Sequence, residues 1–456
     1  VRDDSTVHDL LLSVAPKRIR DAAQNLIETE KRMHQTNAER DQMSYAEAVI
    51  EWGDAGGYEF EVIWDTCCTE ALGKTYEQVK ERLVNTLSGG EQKKLVIRAL
   101  MEGPEETLLL DEPDNYLDVP SKRWLESVIK ETKKTVLFVS HDRELLEEVA
   151  TKIVALEQGH NGNTAWVHGG KFSTFHEARR KRNERFAEVL LRWEQEHTRL
   201  KELVLTLRNQ AKSSPDMASK YRAMQTRLRK FEEVGPPPAP PIEQNVQVKL
   251  SGGRTGVRAL TFQNFAIEGL TELFDFEVFY GDRVAILGKN GTGKSHFLRL
   301  ISGETVKHSG EFKIGARVEV GYFAQTHAHP EYENKTLLEI LWDEHSLQLG
   351  PAKSVLGKYE IDQASNQKFT QLSGGQQARF QILMLELAGD TLLLLDEPTD
   401  NLDLASAESL EHALDRYDGT VLSVTHDRWF CRGFSRFLIF GANGQVYESN
   451  EPVFDH

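Results

Sequence analysis

The sequence predicts an α/β fold made of two copies of one domain joined by a helical hairpin, and three observations support this. Leu87-Ser88-Gly89-Gly90 recurs 285 residues later as Leu372-Ser373-Gly374-Gly375, and Asp111-Glu112-Pro113 recurs at the same offset as Asp396-Glu397-Pro398. In each copy an apolar run precedes the Asp-Glu pair and alternates with helical segments, as in a parallel sheet. Between the copies, apolar residues at heptad spacing predict two long helices.

Composition indicates a large globular protein. The 456 residues correspond to about three domain-sized units, and 39% of them are hydrophobic. No stretch reaches the roughly 20 apolar residues that cross a bilayer. Cys67, Cys68 and Cys431 are too few for a disulfide scaffold, which predicts buried thiols in a reducing cytoplasm. A net charge of -16 argues against attachment of the whole surface to nucleic acid and leaves room for a local basic patch.

The apolar runs before the two Asp-Glu pairs, residues 107–110 and 391–395, are predicted to be buried parallel strands. Further motifs share the 285-residue offset: Leu117-Asp118 with Leu402-Asp403, and His141-Asp142-Arg143 with His426-Asp427-Arg428. A whole domain is therefore repeated.

A phosphate-binding loop precedes the motifs of the second copy. It follows a predicted strand at 283–287, precedes a predicted helix at 296–302, and matches the pattern G-x-x-x-x-G-K-[ST]. Its members are Gly288, Lys289, Asn290, Gly291, Thr292, Gly293, Lys294 and Ser295. Backbone amides of such a loop face phosphates, while Lys294 meets their charge and Ser295 can ligate Mg²⁺.

The first copy lacks this loop. The similar phrases at 5–11 and 335–341 are offset by 330 residues, so the first copy has 45 additional residues before its Leu-Ser-Gly-Gly. The offset places the missing loop roughly 42 residues before Val1, and the pattern predicts that the first domain begins upstream.

Together with Gln325, these motifs resemble those of the ATP-binding cassette (ABC) ATPases. Two cassettes joined by a charged helical linker, without a membrane segment, are similar to the ABC-F proteins, which act on ribosomes. The resemblance implies a cytoplasmic monomer that holds ATP and Mg²⁺ between its cassettes. It also implies ribosome binding at the tRNA exit site, with contacts to ribosomal RNA and the peptidyl-site tRNA, in translation regulation or in ribosomal protection against antibiotics.

The resemblance also assigns roles to residues. The catalytic residues would be Glu397 and His426 in one site and Glu112 and His141 in the other. The metal ligands would be Ser295, Gln325 and Asp396, and Asp111 would correspond to Asp396 in the first copy. The cap over the nucleotide on Lys294 would consist of Ser88, Gly89, Gly90 and Glu91. The cap of the opposite site would consist of Ser373, Gly374, Gly375 and Gln376. Phe265 is the candidate for stacking on the adenine.

The predicted linker contains two heptad seams, Phe186 to Leu207 and Met217 to Phe231, that can pair as an antiparallel hairpin. The expected domains are 1–170, with an arm-like helical insertion at about 17–52, then the linker 171–256 and the second cassette 257–456. Basic residues concentrate near the hairpin turn, against the single acidic Asp216, which predicts a phosphate-backbone contact. They are Arg208, Lys212, Lys220, Arg222, Arg227, Arg229 and Lys230.

Two other functions compete with this interpretation. The soluble ATPase subunit of an ABC transporter would share the cassettes but leave the hairpin unexplained. A DNA-repair or chromosome-associated cassette ATPase would be expected to carry zinc-binding cysteines or much longer coiled coils.

Overall fold

The computed structural model describes residues 5–36, 38–115, 117–160, 162–212, 215–242, 246–324, 330–400 and 402–454. The chain separates into two compact units, one formed by Val1–Leu145 with Asn245–His456 and the other by Leu146–Gln244. Within the described ranges, no helix has the length and apolar character needed to span a bilayer. The domain boundaries expected at 170/171 and 256/257 stay a prediction.

The first cassette begins with helices and contributes a short parallel sheet. Its helices are α1 (Val7–Val14), α2 (Lys17–Thr36), α3 (Glu39–Ala55), α4 (Gly57–Leu72), α5 (Tyr76–Val79), α6 (Gly89–Glu102), α7 (Val119–Glu131) and α8 (Arg143–Val149). Its strands are β1 (Thr107–Asp111) and β2 (Thr135–Val139). The three cysteines of the chain are buried, as predicted.

The prediction that 107–110 is a buried strand is wrong for one face of the sheet. Along β1, buried and exposed residues alternate, and Leu109 is 74% exposed. The alternation shows that packing covers one face of this sheet and leaves the other exposed; among the described residues the sheet consists of β1 and β2 alone. Leu137 of β2 is likewise exposed.

The second unit is a β-hairpin followed by a helical hairpin. Strands β3 (Ile153–Gly159) and β4 (Gly162–His168) pair antiparallel, and the long helices are α9 (Phe172–Gln210) and α10 (Pro215–Val234). The ring of Trp193 on α9 stacks on that of Phe231 on α10, with centroids 5.2 Å apart. Seam positions are buried or half-buried while the positions between them are mostly exposed, which confirms the predicted antiparallel hairpin.

The second cassette is built around a larger sheet. Its strands are β5 (Arg258–Ile267), β6 (Phe274–Phe279), β7 (Arg283–Gly288), β8 (His308–Ile314), β9 (Val320–Phe323), β10 (Leu392–Asp396), β11 (Thr420–Val424), β12 (Arg436–Phe440) and β13 (Val446–Ser449). Its helices are α11 (Lys294–Ile301), α12 (Leu337–His345), α13 (Leu349–Lys358), α14 (Gly374–Ala388) and α15 (Leu404–Arg416).

The central sheet places the phosphate loop beside the Asp-Glu pair. Its order among the described strands is β13-β12-β7-β11-β10-β9, and only the β12–β13 pairing is antiparallel. Every residue of β10 is buried, as predicted for this copy. Because β7 and β10 run parallel, both deliver their carboxyl ends to the same edge of the sheet, where ligands bind in α/β folds.

A phenylalanine cluster supports this sheet from the side of β5 and β6. The Phe262 ring is 1% exposed and lies 4.8 Å from that of Phe297 on α11 and 5.1 Å from that of Phe265. The cluster fixes the helix that follows the phosphate loop against the strands beneath it.

We predict that Phe262→Ala lowers the free energy of unfolding by about 3–5 kcal/mol, because it removes a fully packed ring and leaves a cavity. Phe279→Ala is the matched control, since Phe279 lies on β6, the strand that pairs with β5, and is 37% exposed. Chemical denaturation of both variants measures the difference, and equal losses would contradict the packing described here.

Candidate active site

The phosphate loop joins β7 to α11 through glycines whose backbone angles are strained for other residues. Gly288 has φ +150°, and a Cβ there would collide with the carbonyl oxygen of Phe440. Gly291 and Gly293 also have positive φ, at +83° and +100°. Only glycine adopts these backbone angles without strain, so the loop can present its amides toward a phosphate.

Lys294 begins α11 and turns back into the loop. Its Nζ donates hydrogen bonds of 2.8 Å to the carbonyl oxygens of Gly288 and Lys289, and the side chain is 6% exposed. Burial lowers the pKa of Lys294, while Glu397 and Asp396 oppose that shift. The loop therefore holds a desolvated cation next to two carboxyl groups. The charge of this cation attracts phosphate strongly.

Asp396 ends β10 and is fully buried beside the first turn of α11. The Ser295 hydroxyl donates a 3.1 Å hydrogen bond to Asp396 Oδ1, and burial raises the pKa of this aspartate. A hydroxyl and a carboxylate suit Mg²⁺, which binds through one or two protein oxygens together with water and substrate phosphates. In the described part of the chain, no group of three or more His, Cys, Asp or Glu side chains could hold a metal ion.

Glu397 follows directly and has a backbone conformation that is rare for its residue type. Its φ is +50°, while its N–H still donates to the carbonyl oxygen of Val424 on β11, at 2.9 Å. The turn carries the side chain into the site, where burial, followed by the charge of Asp400, raises the pKa of Glu397 to about 8. Such local strain typically occurs at functional sites.

His426 completes this group of residues. Its backbone N–H donates to Glu397 Oε2 at 3.0 Å, and its Nε2 lies 2.9 Å from Asn290 Oδ1 of the phosphate loop. Burial, together with the nearby Lys294 charge, lowers the pKa of His426 well below its usual value. The ring is thus neutral at pH 7, and an Nε2–H that donates to Asn290 can instead donate to a phosphate oxygen.

The equivalent residues of the first cassette have the same backbone in a more open setting. Glu112 also has a positive φ, +44°, and its N–H donates to the carbonyl oxygen of Val139. His141 Nε2 lies 3.9 Å from Glu112 Oε1, and the two side chains are 45% and 41% exposed, against 13% for His426 and 9% for Glu397. Asp111 is exposed as well.

Both Leu-Ser-Gly-Gly elements open helices through the same capping box. Ser88 caps α6 by accepting from the Glu91 amide, while the Glu91 carboxylate accepts from the Ser88 amide at 2.7 Å. Ser373 and Gln376 cap α14 in the same manner. The first amides of each helix, near its two glycines, have no acceptor within the helix backbone and can serve an anion cap. The third Leu-Ser-Gly-Gly, at 250–253, begins no helix, as predicted.

The two cassettes meet at a cavity of about 140 Å³ lined by Glu112 and His141 from one and Glu397 and His426 from the other. Lys122 of the first cassette also lines it and holds Asp142 at 2.9 Å. Its counterpart in the repeat is Ala407, and that of the buried Asp114 is Thr399. Comparison of the two copies at the 285-residue offset carries the signal for both differences, and the sequence analysis missed Lys122.

Two candidates remain outside this group. Gln325 lies outside the described residues. Phe265 is fully buried, with its ring against Phe262, Phe274 and His308, so the suggestion that it stacks on adenine is wrong.

Comparison with known proteins places these features in a family context. The profile of the family described as "ABC transporter" matches residues 272–400. The chain is 54% identical to the "Antibiotic resistance protein" of Mycobacteroides abscessus, over 99% of this chain and 86% of that protein. It is 31% identical to the "Energy-dependent translational throttle protein EttA" of Haemophilus influenzae, over 80% of this chain and 66% of that protein, just under two thirds of its length.

Among solved structures, the fold is similar to that in the complex of archaeal ribosomal stalk protein aP1 and archaeal ribosome recycling factor aABCE1. The TM-score is 0.53 at 20% identity, and the match covers 85% of this chain and 70% of that chain. At this identity the likeness concerns the fold alone.

We predict that Glu397→Gln slows ATP hydrolysis by about 100- to 10,000-fold while ATP still binds, because the amide cannot accept a proton from the attacking water. Lys294→Ala should instead weaken ATP binding, since it removes the charge inside the loop. Phosphate release and binding of a fluorescent ATP analogue separate the two effects. Unchanged turnover in the Glu397→Gln protein would contradict the assignment of this carboxylate.

Proposed function

The chain belongs to the ABC-F family of ATP-binding cassette proteins and is an ATP-hydrolysing enzyme. From this premise we propose that it binds ribosomes with ATP between its cassettes and leaves them on hydrolysis. It acts in the cytoplasm as a monomer whose cassettes pair within one chain. Its target is the tRNA exit site, where its linker meets ribosomal RNA and the peptidyl-site tRNA.

The complete nucleotide site uses residues of both cassettes. The loop at Gly288–Ser295 holds the phosphates, and the first turn of α6, at Ser88 and Gly89, caps them. Glu397 orients the attacking water and His426 donates to the terminal phosphate. Ser295, Asp396 and Gln325 would hold Mg²⁺, which would neutralise phosphate charge when bound. The second site has Glu112 and His141 with the cap at Ser373.

The observation that carries the proposed ribosome attachment is the charge of the hairpin turn. From residue 208 to 230 the sequence has seven basic residues and one acidic residue, on a chain of net charge -16. Arg227 and Arg229 each lie 3.5 Å from a glutamate of the hairpin. The four nearest the turn are exposed and available to phosphates: Arg208, Lys212, Lys220 and Arg222. A basic end on an acidic protein favours RNA backbone contact.

The names of the two relatives indicate different uses of ribosome binding. The 54% identity to an antibiotic resistance protein favours ribosomal protection against a drug, whereas the relationship to a translational throttle protein favours control of translation. A transporter subunit, the competing function, would have no use for a hairpin with a basic turn.

We predict that replacing Arg208, Lys212, Lys220 and Arg222 with Glu weakens ribosome binding and flattens its dependence on salt. Each phosphate contact that is lost should remove roughly 0.7–0.9 from the logarithmic salt slope. Sedimentation with purified ribosomes across a salt titration measures this effect, and ATP hydrolysis without ribosomes should be unchanged because these residues lie in the hairpin.

A matched control makes the same charge change on the second cassette, at the exposed Lys307, Lys313, Lys353 and Lys358. If both variants lose binding equally, overall charge is responsible and the hairpin is not the contact. Sedimentation of the hairpin variant at the level of the unmodified protein would favour a spacer and return the transporter-subunit function to consideration.

A further inference from the structure

Two ion pairs join the cassettes inside the first compact unit, and they are related by the internal repeat. Arg143 of the first cassette binds Glu411 of the second, and Arg428 of the second binds Glu126 of the first. Arg143 and Arg428 are 285 residues apart, as are Glu126 and Glu411. The same contact is therefore made twice with the partners exchanged, as in a two-fold symmetric interface.

Both pairs are well shielded from solvent. Arg143 is 3% exposed and uses two nitrogens on Glu411, with Nη1 at 2.9 Å from Oε2. Its Nη2 also lies 3.4 Å from Asp427, the residue next to His426. Arg428 and Glu126 are 12% and 9% exposed. The Arg143–Glu411 pair is bidentate and therefore geometrically specific, whereas Arg428 uses one nitrogen on Glu126. Breaking either pair leaves a shielded arginine without its partner.

Each ion pair connects the histidine of one site to the helix that follows the glutamate of the opposite site. Each arginine lies two residues after the site histidine of its own cassette. Each glutamate lies on the helix whose N-cap is the aspartate six residues after the site glutamate: Asp118 caps α7 and Asp403 caps α15. One end of each ion pair is thus tied to a histidine loop and the other to the segment that follows the opposite site's Glu.

The loop that carries His426 is short and internally braced, so a displacement at Arg428 would reach the histidine. Asp427 Oδ1 accepts from the amides of Trp429 and Phe430 at 2.8 and 3.0 Å. On the other side, the His426 amide is bonded to Glu397. Little freedom remains between the arginine and the site.

We propose that Arg143 and Arg428 are reciprocal positioning residues: each holds the histidine loop of its own cassette in place through a glutamate of the other cassette, so each nucleotide site depends on the opposite cassette for its geometry. This inference rests on the ATPase assignment and is independent of ribosome binding.

A third ion pair provides an internal control. Arg432 binds Glu144 and also crosses between the cassettes, but Arg432 is 59% exposed. The repeat counterparts of these two residues are Glu147 and Trp429, so this contact is not made twice. Arg432 also lies over the Trp429 ring, at 4.1 Å, but its ion pair is exposed and has no symmetry-related copy.

The test is a charge-reversal cycle measured without ribosomes. Arg428→Glu and Glu126→Arg should each lower kcat about tenfold, within the range of coupling energies for residues in contact, while the dissociation constant of a fluorescent ATP analogue changes less than about twofold. The double variant should recover kcat to within about threefold. Arg432→Glu, Glu144→Arg and their combination should leave kcat within about twofold of the unmodified protein.

Arg428→Lys keeps the charge and should retain kcat within about threefold. Thermal unfolding of every variant identifies any that lose activity because they misfold. Failure of the double variant to recover activity while it melts normally would overturn the proposal. So would an equal loss of kcat in the Arg432 series, because the pairs would then only hold the cassettes together. If the unmodified chain does not bind ATP, the ATPase assignment itself is refuted.

Discussion

Two adjacent carboxyl groups, Asp396 and Glu397, are buried at the end of one strand, and the site depends on the cost of keeping them there. Buried carboxylates are unfavourable unless charge or hydrogen bonds compensate them. Here the compensation comes from Lys294 and from the Ser295 hydroxyl, and burial still raises the pKa of Glu397 to about 8. The phosphate loop and the fully buried strand β10 keep this arrangement in place. The Mg²⁺ that accompanies a nucleotide would suit it, because that ion would add positive charge near Asp396.

The repeat shows what the environment contributes to identical motifs. Glu112 and Glu397 share a positive φ and the same hydrogen bond to the neighbouring strand, yet one side chain is 41% exposed and the other 9%. Of these two glutamates, Glu397 alone lies beside a phosphate loop among the described residues. The repeat is also asymmetric in charge, since Lys122 and Asp114 of the first cassette correspond to Ala407 and Thr399 of the second.

Much of the fold was predictable because it follows from periodicity. The 285-residue offset predicted two cassettes, and the heptad seam predicted the pairing that Trp193 and Phe231 make. The exposed face of β1 was not predictable, because local hydrophobicity does not say which elements cover a strand. The misassignment of Phe265 has the same origin: position in the chain cannot distinguish a core ring from one that faces a ligand. The positive φ of Glu397 has no signature in residue type.

The reciprocal ion pairs of Arg143 and Arg428 did have a sequence signature, because their glutamate partners also recur at the 285-residue offset. Recognising that signature requires knowing that the two copies face each other.

The most direct test of the account is sedimentation of the Glu397→Gln chain with purified ribosomes in ATP and in ADP. If ATP between the cassettes supports attachment and hydrolysis ends it, this variant should accumulate on ribosomes in ATP more than the unmodified chain does, and neither should accumulate in ADP. Equal sedimentation in the two nucleotides, or none in either, would contradict the proposal that the buried carboxylate controls release from the ribosome.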